Sequence, residues 1–406
     1  MVGIRDDKPH NPCEQPVSGK ALPLDVDLGH THGIASGRGV SIAIIDTGSA
    51  TPTSRGDRDH CILHGTAVAT VAGTIAPGAV VTAYRHSERP EDSDGTVKTL
   101  VRAIDRAVRD NNQIINISMV ACSDTTEMRE AIGRAVKSGA LVVASAGNKD
   151  QCEPGQAAYP AALPQVMSIG AVEQRANATP NPPPSPNPDA GTVPADYSMP
   201  ADHIDLYAPG GPVSAKLRTS DGTTHTIVGN PAPFQGTSFA SPIVAGTAAL
   251  LWELWPDATP SQIRSLLENT AIPGGADSAT TQPVKVIAPA RAVHAAVEKV
   301  AATREDLARD DGAADRAADG PEAGGGAASN GITDHAHAGR SNHAPQPGFA
   351  TTVTAQPPVP EVADYRVPLG LAMVLALAVI AAVVARALAS ESNPPSGNAA
   401  INRHGT

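Results

Sequence analysis

Val40-Ser41-Ile42-Ala43-Ile44-Ile45-Asp46-Thr47-Gly48 is the stretch on which the reading of this chain turns. A run of β-branched and small apolar residues predicts a strand over Val40 to Ile45, and it ends on a carboxylate followed by a turn. Open α/β sheets place their sites at the C-terminal ends of such strands, which is where Asp46 falls. Working outward, Thr66 to Ile75 reads as a small-residue helix and Val80 to Tyr84 as a second strand. The amphipathic stretch Val97 to Asp110 predicts a helix, then Ile114 to Ile117 a strand, Thr126 to Lys137 a helix and Leu141 to Ser145 a strand. This alternation implies an α/β fold with a mostly parallel central sheet and helices on both faces. Thr237 to Leu254 is a long apolar helix, and Ser261 to Glu268 and Pro289 to Val300 are helical patterns that finish the domain. Between them Gln174 to Ala195 is crowded with prolines, which exclude a helix or a central strand, and it reads as a surface insertion.

Composition limits what the rest can be. Aromatic residues are 2% of the 406, while Gly and Pro number 37 each, so the core must come from Ala, Val, Ile and Leu. A net charge of −11 with no Lys/Arg cluster argues against a nucleic-acid partner. From Thr303 to Ala363 the chain is rich in Ala, Gly, Pro and Asp, too poor in large apolar residues to fold, and is expected to be a disordered tether. Its acidic run Glu305 to Glu322 reads as solvated charge, and His335, His337 and His343 as scattered tether histidines. Beyond it Val367 to Ala385 is uncharged between Arg366 and Arg386, long enough at about 1.5 Å per residue for a single C-terminal transmembrane helix. Met1 to Lys20 has no apolar run, so no signal peptide is visible there. The domains expected are therefore an extension (1–38), the α/β domain (39–302), the tether (303–363), the membrane helix (367–385) and a short tail (386–406).

Four motifs carry chemistry. Asp46 ends the first strand. His64-Gly65-Thr66-Ala67 opens the small-residue helix with an imidazole, a group that takes and returns a proton near neutrality. Gly236-Thr237-Ser238 sets a hydroxyl at the positive end of the long apolar helix, with Pro242 in its first turn. Ala144-Ser145-Ala146-Gly147-Asn148 follows a strand with an amide able to donate to a developing oxyanion. Each alone is ordinary: a turn, a structural histidine, a helix cap, a turn asparagine. All four in one order are not.

Together, from about Gly39 to Val300, they resemble the subtilisin-like serine proteases. The resemblance implies a serine endopeptidase acting through an acyl-enzyme. Asp46 would hold the imidazole of His64, His64 would take the proton of Ser238, and Asn148 with the Ser238 N–H would bind the oxyanion. It also implies that Ser118, Met119, Ala144, Ala146 and Gly147 flank a peptide or protein substrate. None of these is charged, so a neutral or apolar side chain is expected at the primary pocket. No cofactor is implied, and neither the histidines, the cysteines nor the acidic residues show spacing that assigns a metal.

Cys13, Cys61, Cys122 and Cys152, with the Pro-rich tether and the C-terminal helix, give a narrower resemblance to the mycosins, membrane-anchored subtilases associated with type VII secretion. The mycosin pattern implies disulfides Cys13–Cys61 and Cys122–Cys152, although the sequence alone leaves three connectivities open. It further implies a membrane partner through 367–385, a secretion-complex partner, and a catalytic domain outside the cytoplasm, with the missing signal upstream of Met1. A scaffold role in that complex, with proteolysis secondary, is the alternative. Four cysteines around one site favour an oxidising compartment.

Overall fold

In the computed structural model the described residues are 16–318, less Asp25, His60, Asp150 and the stretches 175–191 and 277–282. A short strand β1 (Val17–Ser18) and one helical turn α1 (Thr31–Ile34) lead into β2 (Ser41–Asp46). The side chains of β2 alternate between two apolar layers: Ile42 and Ile44 enter one, Ala43 and Ile45 the other. Burial on both faces is why its sequence is apolar nearly throughout and not alternating.

The chain continues through β3 (Arg55–Gly56), α2 (His64–Ile75), β4 (Val80–Arg85), α3 (Val97–Arg109), β5 (Ile114–Ile117), α4 (Thr126–Lys137) and β6 (Leu141–Ser145). Thr96 and Thr125 cap α3 and α4, accepting from the N–H groups of Thr99 and Met128. Then come β7 (Met167–Gln174), β8 (Thr192–Pro194), β9 (Leu206–Pro209), β10 (Ala215–Arg218), β11 (Thr224–Gly229), α5 (Thr237–Leu254) and α6 (Pro260–Thr270). The hairpin β12 (Ile272–Ala276) and β13 (Pro283–Val286) and the helix α7 (Pro289–Ala318) close the sequence of elements.

Ten strands form one sheet in the order β12-β13-β9-β7-β6-β5-β2-β4-β3, with β8 on β7. The path from β13 to β3 is parallel throughout, and only β12 and β8 pair antiparallel. A separate antiparallel sheet joins β1, β11 and β10. After β2 the chain adds β4 on one side, then returns to add β5 on the other. That reversal opens a crevice at the C-terminal end of β2, the position of Asp46.

Layers follow from the side-chain alternation. α3 and α4 cover the face that holds Ala43 and Ile45; α2, α5 and α7 cover the face of Ile42 and Ile44. α5 is buried along nearly its whole length, and α2 lies close against it. A Cβ at Gly246 would stand 2.7 Å from Cβ of Ile75, so only glycine permits this approach. At the far end of α5, Glu253 accepts from the N–H groups of Ser36 and Gly37, both at 2.6 Å, and of Arg38 at 3.0 Å. The entry to β2 is thereby tied to the helix whose first turn holds Ser238.

Three expectations are corrected. The proline-rich insertion starts and ends in strand, since Glu173 of β7 pairs with Val193 of β8, so its flanks extend the sheet. Thr303 does not begin a structureless tether, because α7 runs on to Ala318. Alanine and the charged straight-chain residues of that stretch are strong helix formers, which favours continuing the helix. The transmembrane helix expected at 367–385 lies outside the described residues. Among the described residues no helix is long and apolar enough to cross a membrane. α5 is apolar because the sheet and α2 enclose it. The single-pass membrane architecture is withdrawn accordingly. The membrane location, the membrane and secretion-complex partners, and the scaffold alternative built on it go with it.

The α2–α5 contact yields a test. Gly246→Val should destabilise the fold by roughly 1–3 kcal/mol through overpacking against Ile75, read from denaturant unfolding. Gly133, whose Cβ would meet nothing within 4 Å, supplies the control: Gly133→Ala should leave stability equal or higher. Equal tolerance at both positions would show that α2 and α5 are not held by that approach.

Candidate active site

Asp46 is fully buried at the end of β2. Its Oδ1 accepts from the Thr47 N–H at 2.7 Å and stands 2.8 Å from Nδ1 of His64. His64 is the first residue of α2, and no side chain caps that helix at Leu63, which holds a left-handed φ of 63°. The exposed donors of the entry are instead taken up by Asp59. Its Oδ1 accepts from Cys61 N–H (3.0 Å) and Ile62 N–H (2.9 Å), and its Oδ2 from Leu63 N–H (2.9 Å) and Thr47 Oγ1 (2.6 Å). Thr47 Oγ1 in turn accepts from Gly65 N–H at 3.0 Å. Asp59 therefore fixes the turn after Asp46 and the approach to His64 together. Sequence reading passed it over. The available signal was an acid shortly before a histidine that lacks its own helix cap.

Electrostatics follow from these positions. Burial alone lowers the pKa of His64, but the charge and hydrogen bond of Asp46, with a smaller contribution from Asp59, raise it above the usual imidazole value. Burial raises the pKa of Asp59, as does the charge of Asp46, against the lowering effect of its Thr47, Cys61 and Ile62 bonds. The imidazole ring also rests on Phe239, with centroids 5.0 Å apart at 50°, and Phe239 packs on Phe234. His64 is thus held by a bond on one side and an aromatic wall on another.

Ser238 is the second residue of α5 and 6% exposed. Gly236 precedes the helix at φ 148°, and a Cβ there would come 3.0 Å from Nδ2 of Asn148. The Ser238 hydroxyl donates to the Ser118 carbonyl at 3.2 Å, and Ser118 Oγ donates back to the Ser238 carbonyl at 3.0 Å. Asn116 Nδ2 donates to Ser118 Oγ at 2.9 Å, so the end of β5 clasps the start of α5. Asn148 is turned by Thr237, whose N–H and hydroxyl donate to its Oδ1 at 3.0 and 3.1 Å. With the oxygen so engaged, the amide hydrogens are left as donors beside Gly236.

His64, Ser238, Ser118 and Met119 line one cleft of about 380 Å³. Ala144, Ala146 and Gly147 are buried at and just beyond the end of β6. Cys122 is bonded to Cys152, with Cα atoms 5.4 Å apart, joining the segment after β5 to the segment after Asn148. Cys61 is also disulfide-bonded, and Cys13, the partner expected for it, lies outside the described residues. Among the described residues no group of His, Cys, Asp and Glu is arranged to hold a metal ion.

A chain with a strand-end aspartate on a helix-first histidine, and a serine in the first turn of a helix across the cleft, is matched by the profile of the Subtilase family over residues 37–303. The chain belongs to the subtilase family. Subtilisin DY from Bacillus licheniformis is 31% identical over 216 residues, covering 51% of this chain and 70% of that protein. Subtilisin E from Bacillus subtilis (strain 168) is 28% identical over 267 residues, 60% of this chain, and the chain spans only 62% of its length. Among solved structures, MycP1 with the N-terminal propeptide removed superposes with a TM-score of 0.51 at 26% identity, over 65% of this chain and 93% of that one.

The Asp46–His64 pair predicts a direction that needs no substrate to test. Asp46→Asn should lower the His64 pKa, read from the imidazole signals in an NMR titration; an unmoved midpoint would rule out Asp46 as the cause. Since the folded value lies above the ordinary imidazole value, the pair stabilises the subtilase fold fully below about pH 6.5. That contribution is lost as pH rises through the raised value, so the stability gap between wild type and Asp46→Asn should narrow over the same interval.

Proposed function

We propose that this subtilase is a serine endopeptidase with Ser238 as nucleophile, His64 as general base and Asp46 as the residue that orients and polarises His64. The observation that carries the reading is the 2.8 Å bond between Asp46 Oδ1 and His64 Nδ1, with His64 and Ser238 on one cleft. Asp46 fixes the proton on Nδ1 and so leaves Nε2 as the basic atom facing the cleft. A turn of the Ser238 side chain away from the Ser118 carbonyl brings its hydroxyl to that base. As Oγ forms its bond to the peptide carbonyl carbon, His64 takes the hydroxyl proton. The carbonyl oxygen becomes an oxyanion, which the Asn148 amide and the Ser238 N–H receive. Collapse breaks the C–N bond, the amine leaves with the proton from His64, and water repeats the sequence on the acyl-enzyme. The charge that appears on His64 in each step is the one Asp46 already favours.

Substrates are extended peptide segments, with Met119 and Val120 giving the cleft an apolar wall. Within the family, we place the chain among mycosin-like members. The positions of Cys61, Cys122 and Cys152 around the site support this placement, as does the likeness to MycP1 given above.

A fluorophosphonate probe should label Ser238 and no other serine, with Ser238→Ala abolishing both label and peptide hydrolysis. Labelling elsewhere, or none on folded protein, would overturn the assignment. Asn148→Ala should lower kcat by roughly 10²–10³ with little change in KM, the size one oxyanion donor carries in subtilisin itself. An unchanged kcat would remove Asn148 from the oxyanion site.

A further inference from the structure

The walls of the cleft are unequal in charge. Besides His64, the one ionisable side chain lining it is Asp94, contributed with Ser93 by the loop between β4 and α3. That loop is acidic, carrying Glu88, Glu91, Asp92 and Asp94 against the single cation Arg89. Arg89 is spent on Asp92 at 2.9 Å and Glu91 at 3.8 Å, and Arg102 of α3 reaches Glu88 at 3.2 Å. Asp94 has no ion-pair partner among the described residues, and it is exposed. A carboxylate that neighbouring cations could have neutralised instead faces the volume where substrate must lie.

Resting on the protease reading above, we propose that Asp94 is a specificity-determining residue that selects peptides with a Lys or Arg side chain a few residues from the scissile bond. The chemistry is complementary. An extended peptide passing His64 presents alternate side chains to the cleft walls. On the wall built from residues 93 and 94, a cation meets an unpaired anion, whereas an acidic side chain meets repulsion. The wall on the Met119 and Val120 side is apolar and offers no such preference. The same surface that admits an apolar side chain at one position therefore asks for a basic one at another. Because Asp94 is exposed, the discrimination is modest, about two- to fivefold in kcat/KM, and falls with ionic strength.

The test uses the whole chain and three peptide series, in which Lys, Gln or Glu is walked through each position on both sides of one cleaved bond. Wild type should prefer Lys to Gln to Glu at one or two positions, and the preference should collapse in 1 M salt. Asp94→Asn should bring the Lys/Gln ratio at those positions to about one, and Asp94→Lys should invert it. A ratio taken within each variant cancels any loss of folded enzyme. If labelled, active enzyme shows no position-specific preference for Lys, or keeps it in Asp94→Asn, the Asp94 assignment is wrong and the protease reading stands. If Ser238 takes no fluorophosphonate and no peptide is cut, both are wrong.

Discussion

Everything at the site depends on two helices being able to lie almost in contact. His64 is the first residue of α2 and Ser238 the second of α5, and neither reaches the other unless the helices approach closely over the C-terminal end of β2. Small residues make that possible: Ala67 and Ala72 on one side, Gly246, Ala245 and Ala249 on the other, all buried, with Gly246 leaving the room that Ile75 fills. Glycine and alanine give up contact area, and the core has few aromatic rings to make up for it. The compensation is extent. The apolar layer on this side runs from Ala35 to Ala296 and takes in most of α5. The low aromatic content and the geometry of the site thus have one cause.

Upon this frame sits an electrostatic arrangement that is costly in isolation. Two carboxylates, Asp46 and Asp59, are buried near each other, and a fully desolvated pair of like charges would not persist. Their hydrogen bonds divide the labour. Asp59 is saturated by three backbone N–H groups and the Thr47 hydroxyl, so it behaves as a rigid structural anion. Asp46 keeps Oδ2 without a partner among the described residues, so its charge is directed to His64 through Oδ1. A saturated anion next to an unsaturated one is what allows the second to act on a base.

The sequence made the strand β2, the helices α2 to α5 and the parallel alternation legible, because both-face burial and small-residue helices leave a local signature. Asp46, His64, Ser238 and Asn148 were readable because each sits at an element boundary marked by Gly, Thr or Pro. Asp59 was not, since its role is to bind backbone donors, and nothing in the order Asp59-His60-Cys61 announces which groups it will meet. Strands such as β9 and β13 escaped for a related reason: they are short, and their pairing partners lie far along the chain. Ala144 and Ala146, which the family resemblance set beside the substrate, have their side chains buried at the end of β6. Hydropathy over 367–385 suggested a span, but an apolar stretch states only that it avoids water and not what covers it.

What separates the floor of the cleft from its walls is how each is stiffened. The floor, made of the ends of β2 and β5 and the starts of α2 and α5, is fixed by backbone ladders and by the mutual bonds of Ser118 and Ser238. The walls are loops, and loops have no ladder to hold them. Two of these segments, the one after β5 and the one after Asn148, are joined by the Cys122–Cys152 bridge, and a third, before His64, is bonded through Cys61 and gripped by Asp59. The fourth, from Glu88 to Asp94, has no disulfide; two local bonds to the Arg89 carbonyl, from Asp92 N–H and Ser87 Oγ, and ion pairs that are weak in water hold it. Covalent restraint therefore falls on the segments that carry Asn148 and lead to His64, the groups to which the proposed mechanism gives the oxyanion and the proton, where small displacements are costly to the chemistry. The wall bearing Asp94 is left free to adjust to the side chains that pass it.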